Sequence, residues 1–268
     1  AEKMMIRSPA ALLINLGELP KKTYTNKLPT TRMGIAGLIR KAFADASNYR
    51  KKKDSAIDTK LEALKLALER KIPVLFAAHR ADDIQTGLRL AKEFKLDAKI
   101  CSATEGYLFR EALKKANVPI IVHPTLQRVG GIETYHTHLG NAAALAKSKL
   151  LIAIGSGYES YVPKTRVIRA EAAMAMVNGL GFERALRAIT LDAAKILGID
   201  KDYGSIEANK VADLVLYDGD PFEHTTHVMF TISGGRIVHS RADYLKLPFA
   251  RRALPLRGGG VGCCLGAW

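Results

Sequence analysis

Short apolar runs alternate with longer amphipathic stretches through the first two thirds of the chain. Ala10–Leu16 (AALLINL), Pro73–Ala78 (PVLFAA), Lys99–Ala103, Pro119–His123 and Leu150–Gly155 are strand-sized. Between them, apolar positions recur at helical spacing. Thr31–Tyr49 places Met33, Ile35, Leu38, Ile39 and Phe43 on one face. Asp58–Arg70 is built from good helix formers, and Asp82–Phe94, Tyr107–Ala116 and Ala142–Lys147 continue the alternation. Arg166–Asn178, Phe182–Ile189 and Leu191–Leu197 read as helices after the last of these strands. Strands followed by helices in this order predict a parallel sheet with helices outside it.

The pattern then changes. Ala212–Tyr217, Val228–Ile232 and Arg236–His239 are short strands separated by Asp-Gly-Asp-Pro and Gly-Gly turns, which predicts a small antiparallel sheet. From Leu245 the chain is rich in Pro, Arg and Gly, as in a surface-wrapping or frayed tail. The expected organisation is a β/α unit over residues 1–200, strands of a small sandwich over 201–242, and a tail over 243–268. Five parallel strands suit either an open doubly wound sheet or part of a barrel. A nucleotide-binding sheet calls for a Gly-rich loop after its first strand, and this chain has none, which favours the barrel.

Composition narrows the class without naming a reaction. The 268 residues are 48% hydrophobic and 25% charged, enough for a sizeable core and unlike a disordered or disulfide-framed chain. No apolar run approaches the roughly 18–20 residues of a membrane span. The net charge of +15 is spread over helices and loops, with no basic strand interleaved with aromatics and no zinc-finger spacing, so no nucleic-acid partner is expected. Lys51–Lys53 sits where a helix ends, which suits the helix dipole. The three cysteines do not make a framework: Cys101 is strand filler, and Cys263 and Cys264 are adjacent in the tail.

The segment from Val162 to Val238 carries RAEAAMAMVNGL, ERALRAITLDAAKILGID, YGSIEANKVADLVLYDGDPFE and a strand pair ending GGRIVHS. Upstream stand HRADDI (His79–Ile84), ATEGY (Ala103–Tyr107) and VPIIVHP (Val118–Pro124). Together they resemble the C-terminal portion of the amidohydrolase superfamily, closest to the imidazolonepropionase-like members. The resemblance implies the α/β fold of that family, the C-terminal part of a (β/α)8 TIM-type barrel plus a small β-sandwich segment. It implies metal-dependent hydrolysis of C–N bonds other than peptide bonds in a small-molecule substrate, with a zinc or iron ion at the strand ends. The matching segments begin at the family's fourth barrel strand. The expectation is therefore that an N-terminal half of the barrel, or an oligomeric partner, completes the sheet.

Three positions depart from what the resemblance implies. Where relatives carry a fifth-strand histidine this chain has Ala77, at the sixth-strand histidine it has Ser102, and at the eighth-strand aspartate it has Gly157 in Gly155-Ser156-Gly157. A divalent metal is expected for the family, and the alternative for this chain is none. His79, two residues beyond Ala77, shares its strand face and is the candidate displaced ligand. The candidate substrate-binding residues are His79, Arg80, Glu105, His123, Tyr158 and Glu159, all at or after strand ends. The alternative for the His79 segment is a helix-capping turn, with Asp82 capping the helix that follows. His136-Thr137-His138 lies in a loop after Gly130-Gly131 and reads as loop rather than as a metal pair, because no strand supports it. A catalytically silent binding or scaffold protein is the alternative to a hydrolase.

Overall fold

The structure is a computed structural model of the whole chain and describes residues 5–23, 27–51, 57–126, 131–159, 162–163 and 165–248. By contacts the chain divides into two compact units, 1–207 and 208–268.

In the first unit the elements run β1 (Leu12–Asn15), α1 (Glu18–Thr23), α2 (Arg32–Lys51), α3 (Thr59–Leu68), β2 (Val74–Ala78), α4 (Ala81–Phe94), β3 (Ala98–Ser102), α5 (Arg110–Ala116), β4 (Ile120–Val122), α6 (Asn141–Lys147) and β5 (Ile152–Ile154). A two-residue pair, β6 (Tyr158–Glu159) with β7 (Val162–Pro163), precedes α7 (Ile168–Ala175), α8 (Phe182–Ala188) and α9 (Leu191–Leu197). The five strands β1 to β5 form one sheet in sequence order, and every neighbouring pair is parallel.

Register gives the sheet two unlike faces. Val74, Phe76 and Ala78 align with Ala98, Ile100 and Ser102, and Ile100 aligns with Ile120. On this outer face Val74, Phe76, Ile100, Ile120 and Val122 have no exposed surface. Phe76 lies under Gly87 of α4, where a Cβ would come 3.2 Å from its ring. Above it, Phe94 of α4 meets Phe43 of α2 with ring centroids 5.2 Å apart. The opposite face aligns Leu13 with Leu75 and Asn15 with Ala77, then Ala77 with Cys101 and Cys101 with Ile121. Leu13 is 57% exposed and Leu75, Ala77, Cys101 and Ile121 are half-buried.

Local chemistry explains several boundaries. Asp58 caps α3 by accepting from the amides of Lys60 and Leu61. Helix α4 begins at Ala81, one residue before the expected start, and Arg80 offers it no side-chain cap. Its first amide, that of Ala81, instead donates 2.7 Å to the carboxylate of Glu105 from the next strand's end. The helix expected to run to Asn178 stops at Ala175. A wide π-type turn, Met176–Leu180, follows, because Gly179 takes a left-handed conformation (φ 100°).

The second unit holds β8 (Leu214–Tyr217), β9 (Val228–Ser233), β10 (Arg236–Ser240) and α10 (Arg241–Lys246). The three strands pair antiparallel in the order β10-β9-β8. Gly234 and Gly235 make the tight turn between β9 and β10 with φ of 55° and 78°, a geometry that needs glycine. Asp213 accepts from the Gly234 amide at 2.7 Å, and Asp218 accepts from the His227 amide at 2.7 Å. Both aspartates fasten turns.

Candidate functional site at the C-terminal strand ends

In a parallel β/α sheet the strands' carboxyl ends share one rim, and loops bring polar groups there. Side-chain alternation puts His79, after β2, on the inner face with Leu75 and Ala77, and puts His123, after β4, there with Ile121. Strand β3 runs between them, and the small Ala103 just after it is fully buried.

The end of β3 is unusual. Ser102 and Ala103 both have positive φ, 75° and 49°. Consecutive left-handed non-glycine residues are costly and recur at functional sites. The turn they make throws Thr104 and Glu105 back across the end of β2. Thr104 Oγ1 lies 2.7 Å from His79 Nδ1, and the Glu105 amide donates to the His79 carbonyl at 2.9 Å. Burial, reinforced by the neighbouring His123, pushes the His79 imidazole down to about 4, so it is neutral at physiological pH.

His123 donates from Nδ1 to the Gly155 carbonyl at 3.2 Å, which orients its ring at the end of β4. Its imidazole lies against Gly157, whose φ is 73°, and a Cβ at that position would overlap the ring. A side chain at 157 and this placement of His123 therefore exclude each other. Below the rim, Glu171 of α7 is buried and accepts from the amides of Thr125 and Leu126 at 2.7 and 3.0 Å, with the Thr125 hydroxyl also against it. It holds the strand-end segment that begins at His123.

Residues 131–140 follow β4 yet reach back across the rim. Glu133 pairs with Arg32 at the start of α2. The same guanidinium bonds Asp83 at 3.1 and 3.2 Å and Glu18 at 3.1 Å. Burial raises Asp83 and Glu133 above the usual carboxylate range, with Arg32 opposing the rise. Further along, His136 Nδ1 bonds Glu105 at 2.7 Å, and the Tyr107 hydroxyl donates to the His136 carbonyl at 3.2 Å. The His138 ring stacks near Tyr107 at 5.0 Å and accepts from the Gly140 amide, so the two loop histidines have separate partners.

The residues picked from sequence thus separate into groups. His79, His123 and Glu105 gather at the ends of β2, β3 and β4. Arg80 is engaged by Asp82 through a two-pronged pair at 3.0 and 3.1 Å, and Asp82 sits inside the first turn of α4 rather than capping it. Tyr158 and Glu159 form the short pair with Val162 and Pro163, and their side chains lie outside the described residues. His136 was read only as a loop residue, and Arg32 was not singled out. Their partners lie 31 and 101 residues away in sequence, and no local motif marks such contacts.

A parallel β/α sheet with polar groups along the rim of its strand ends is the arrangement of the TIM-barrel superfamily. The chain belongs to the amidohydrolase family, whose sequence profile matches residues 62–240. An amidohydrolase structure from Thermotoga maritima MSB8 superposes with a TM-score of 0.85 at 35% identity, over 90% of this chain and 65% of its own. An imidazolonepropionase from Acinetobacter baumannii (strain AB307-0294) is 40% identical over 52 residues, 19% of this chain and 12% of that protein. A zinc-bound adenosine deaminase from Xanthomonas campestris shares the fold, with a TM-score of 0.51 at 16% identity, over 90% of this chain and 63% of its own. The chain thus spans less than two thirds of the length of each of these relatives.

The family is typically metal-dependent, and the donors at this rim do not fit a metal. Ala77, Ser102 and Gly157 offer no imidazole or carboxylate. Among the described residues no three His, Cys, Asp or Glu side chains converge as ligands. His79 has one nitrogen committed to Thr104.

Proposed function

We propose that the protein is a hydrolase of C–N bonds other than peptide bonds in small molecules, and that this chain supplies the substrate-binding side of its mouth. Family membership supports the reaction class. The observation that carries the binding role is the convergence of His79 and His123 on one face at the strand ends, beside an apolar floor of Leu75 and Ile121. The neutral His79 imidazole and the His123 ring beside it suit an uncharged polar ring with both N–H and C=O groups. A cyclic amide or amidine has that chemistry, and the apolar floor suits its ring carbons.

The test is ring opening by the whole protein on a panel of lactams, hydantoins, dihydropyrimidines and imidazolones, followed by mass spectrometry. The expected result is a ring-opened product, with His79→Ala and His123→Ala each raising KM about tenfold or more. A silent binding protein is a second reading, favoured by the alanine, serine and glycine at positions 77, 102 and 157. Saturable binding of a panel member without any product would select it. Neither binding nor product would refute both.

A further inference from the structure

We propose that His136, oriented by Glu105, is a general base of this mouth. The proposal rests on the hydrolase reading and assigns it a proton acceptor from this chain's own residues.

The Glu105 carboxylate is 10% exposed and both of its oxygens are engaged. One accepts from the Ala81 amide at 2.7 Å, which fixes the carboxylate to the first turn of α4. The other accepts from His136 Nδ1 at 2.7 Å. A carboxylate only accepts, so Nδ1 carries the proton, and in the neutral ring Nε2 carries the lone pair. The imidazole is 56% exposed, which leaves that lone pair open to water. Two further contacts hold the residue: the Tyr107 hydroxyl on the His136 backbone carbonyl, and the Tyr135 ring edge-on to the imidazole at 5.2 Å. A base turned outward by a buried carboxylate behind it is the arrangement that activates water or a hydroxyl group in acyl transfer. The dyad stands at the same strand end as His79, because the residue bonded to His79 is Thr104, the neighbour of Glu105.

The step balances without a metal ion. His136 Nε2 takes a proton from a water molecule while the water oxygen bonds to the amide carbon, and the carbonyl electron pair moves to its oxygen. That pair returns as the C–N bond breaks. The nitrogen keeps the C–N electrons and takes the proton back from the imidazolium. Amide plus water gives acid plus amine, and His136 ends as it began. Glu105 is a positioning residue that acts through the base.

The experiment uses the whole protein and two readouts. With a panel substrate that turns over, His136→Gly should lower kcat about 100-fold with KM within about threefold, and added imidazole should restore turnover. Glu105→Gln should lower kcat and respond little to imidazole. A His136→Gly loss that imidazole leaves untouched would mean that the residue only pins its loop, and would overturn the proposal. If the wild type turns over nothing, the hydrolase reading fails and carbethoxylation judges the dyad by itself. Modification of each of the seven histidines is followed by peptide mass spectrometry. His136 modified fastest, and about tenfold slower in Glu105→Gln, supports an activated Nε2. Equal rates with and without the carboxylate overturn it.

Discussion

The two faces of the five-stranded sheet come from the same residues in alternation, yet they differ in kind. The outer face is apolar and sealed by α4 and its neighbours, and its side chains have no exposed surface at Val74, Phe76, Ile100, Ile120 and Val122. The inner face is smaller in side chain, half open, and ends in His79 and His123. Apolar burial is concentrated on the first, and the polar groups of the candidate site stand on the second. A substitution should therefore read out differently according to the face it touches.

The largest contrast is between adjacent residues. Phe76→Ala removes a fully buried ring against Gly87 and should cost about 3–5 kcal/mol, whereas Leu75→Ala on the inner face should cost under about 1.5 kcal/mol, measured by denaturant titration. Similar losses at the two positions would erase the distinction between the faces.

The rim adds a pH dependence. His79 falls from 6.5 to about 4 on folding. The unfolded chain therefore takes up its proton first as pH drops. Stability should be full above about pH 6.5 and decline toward pH 4, by on the order of 3 kcal/mol. His79→Gln should flatten that slope, and an unchanged slope would move its origin elsewhere. Glu171→Ala should cost about 2–3 kcal/mol, because the amides of Thr125 and Leu126 lose their acceptor in a buried place.

Smallest is the Arg32 cluster. Arg32→Ala leaves Asp83 and Glu133 without their cation and should cost about 1–2 kcal/mol. Burial already raises both carboxylates, so unpairing them penalises the charged form further. The cost should be greater at pH 7 than at pH 5. Limited proteolysis should also reach residues 131–140 sooner in this variant, because the Glu133 tether is gone.

Periodicity carries the sheet and its helices to within a few residues. The expected strand Pro73–Ala78 is β2 from Val74, and the expected helix Asp82–Phe94 is α4 from Ala81. It misses what depends on backbone handedness rather than on apolar spacing. Gly179 diverts the end of α7 into a wide turn, and Ser102 and Ala103 reverse the chain after β3. It also misses α1 and α10, six residues each, with no buried side chain to leave a pattern. At the site, histidines after apolar strands were legible because a strand end dictates where they go. His136 was not, since its meaning comes from a carboxylate 31 residues earlier that only the fold brings to 2.7 Å. The Ala77, Ser102 and Gly157 departures were visible in sequence. The packing of His123 into the space beside Gly157 was not.

The most direct test of the account is the nitrogen spectrum of the histidine rings during titration with a small cyclic amide. The account predicts that the His79 and His123 ring signals shift together and saturably, while His224, His227 and His239 of the second unit stay where they are. Saturable binding that leaves His79 and His123 unmoved would contradict it and place the ligand away from the strand ends.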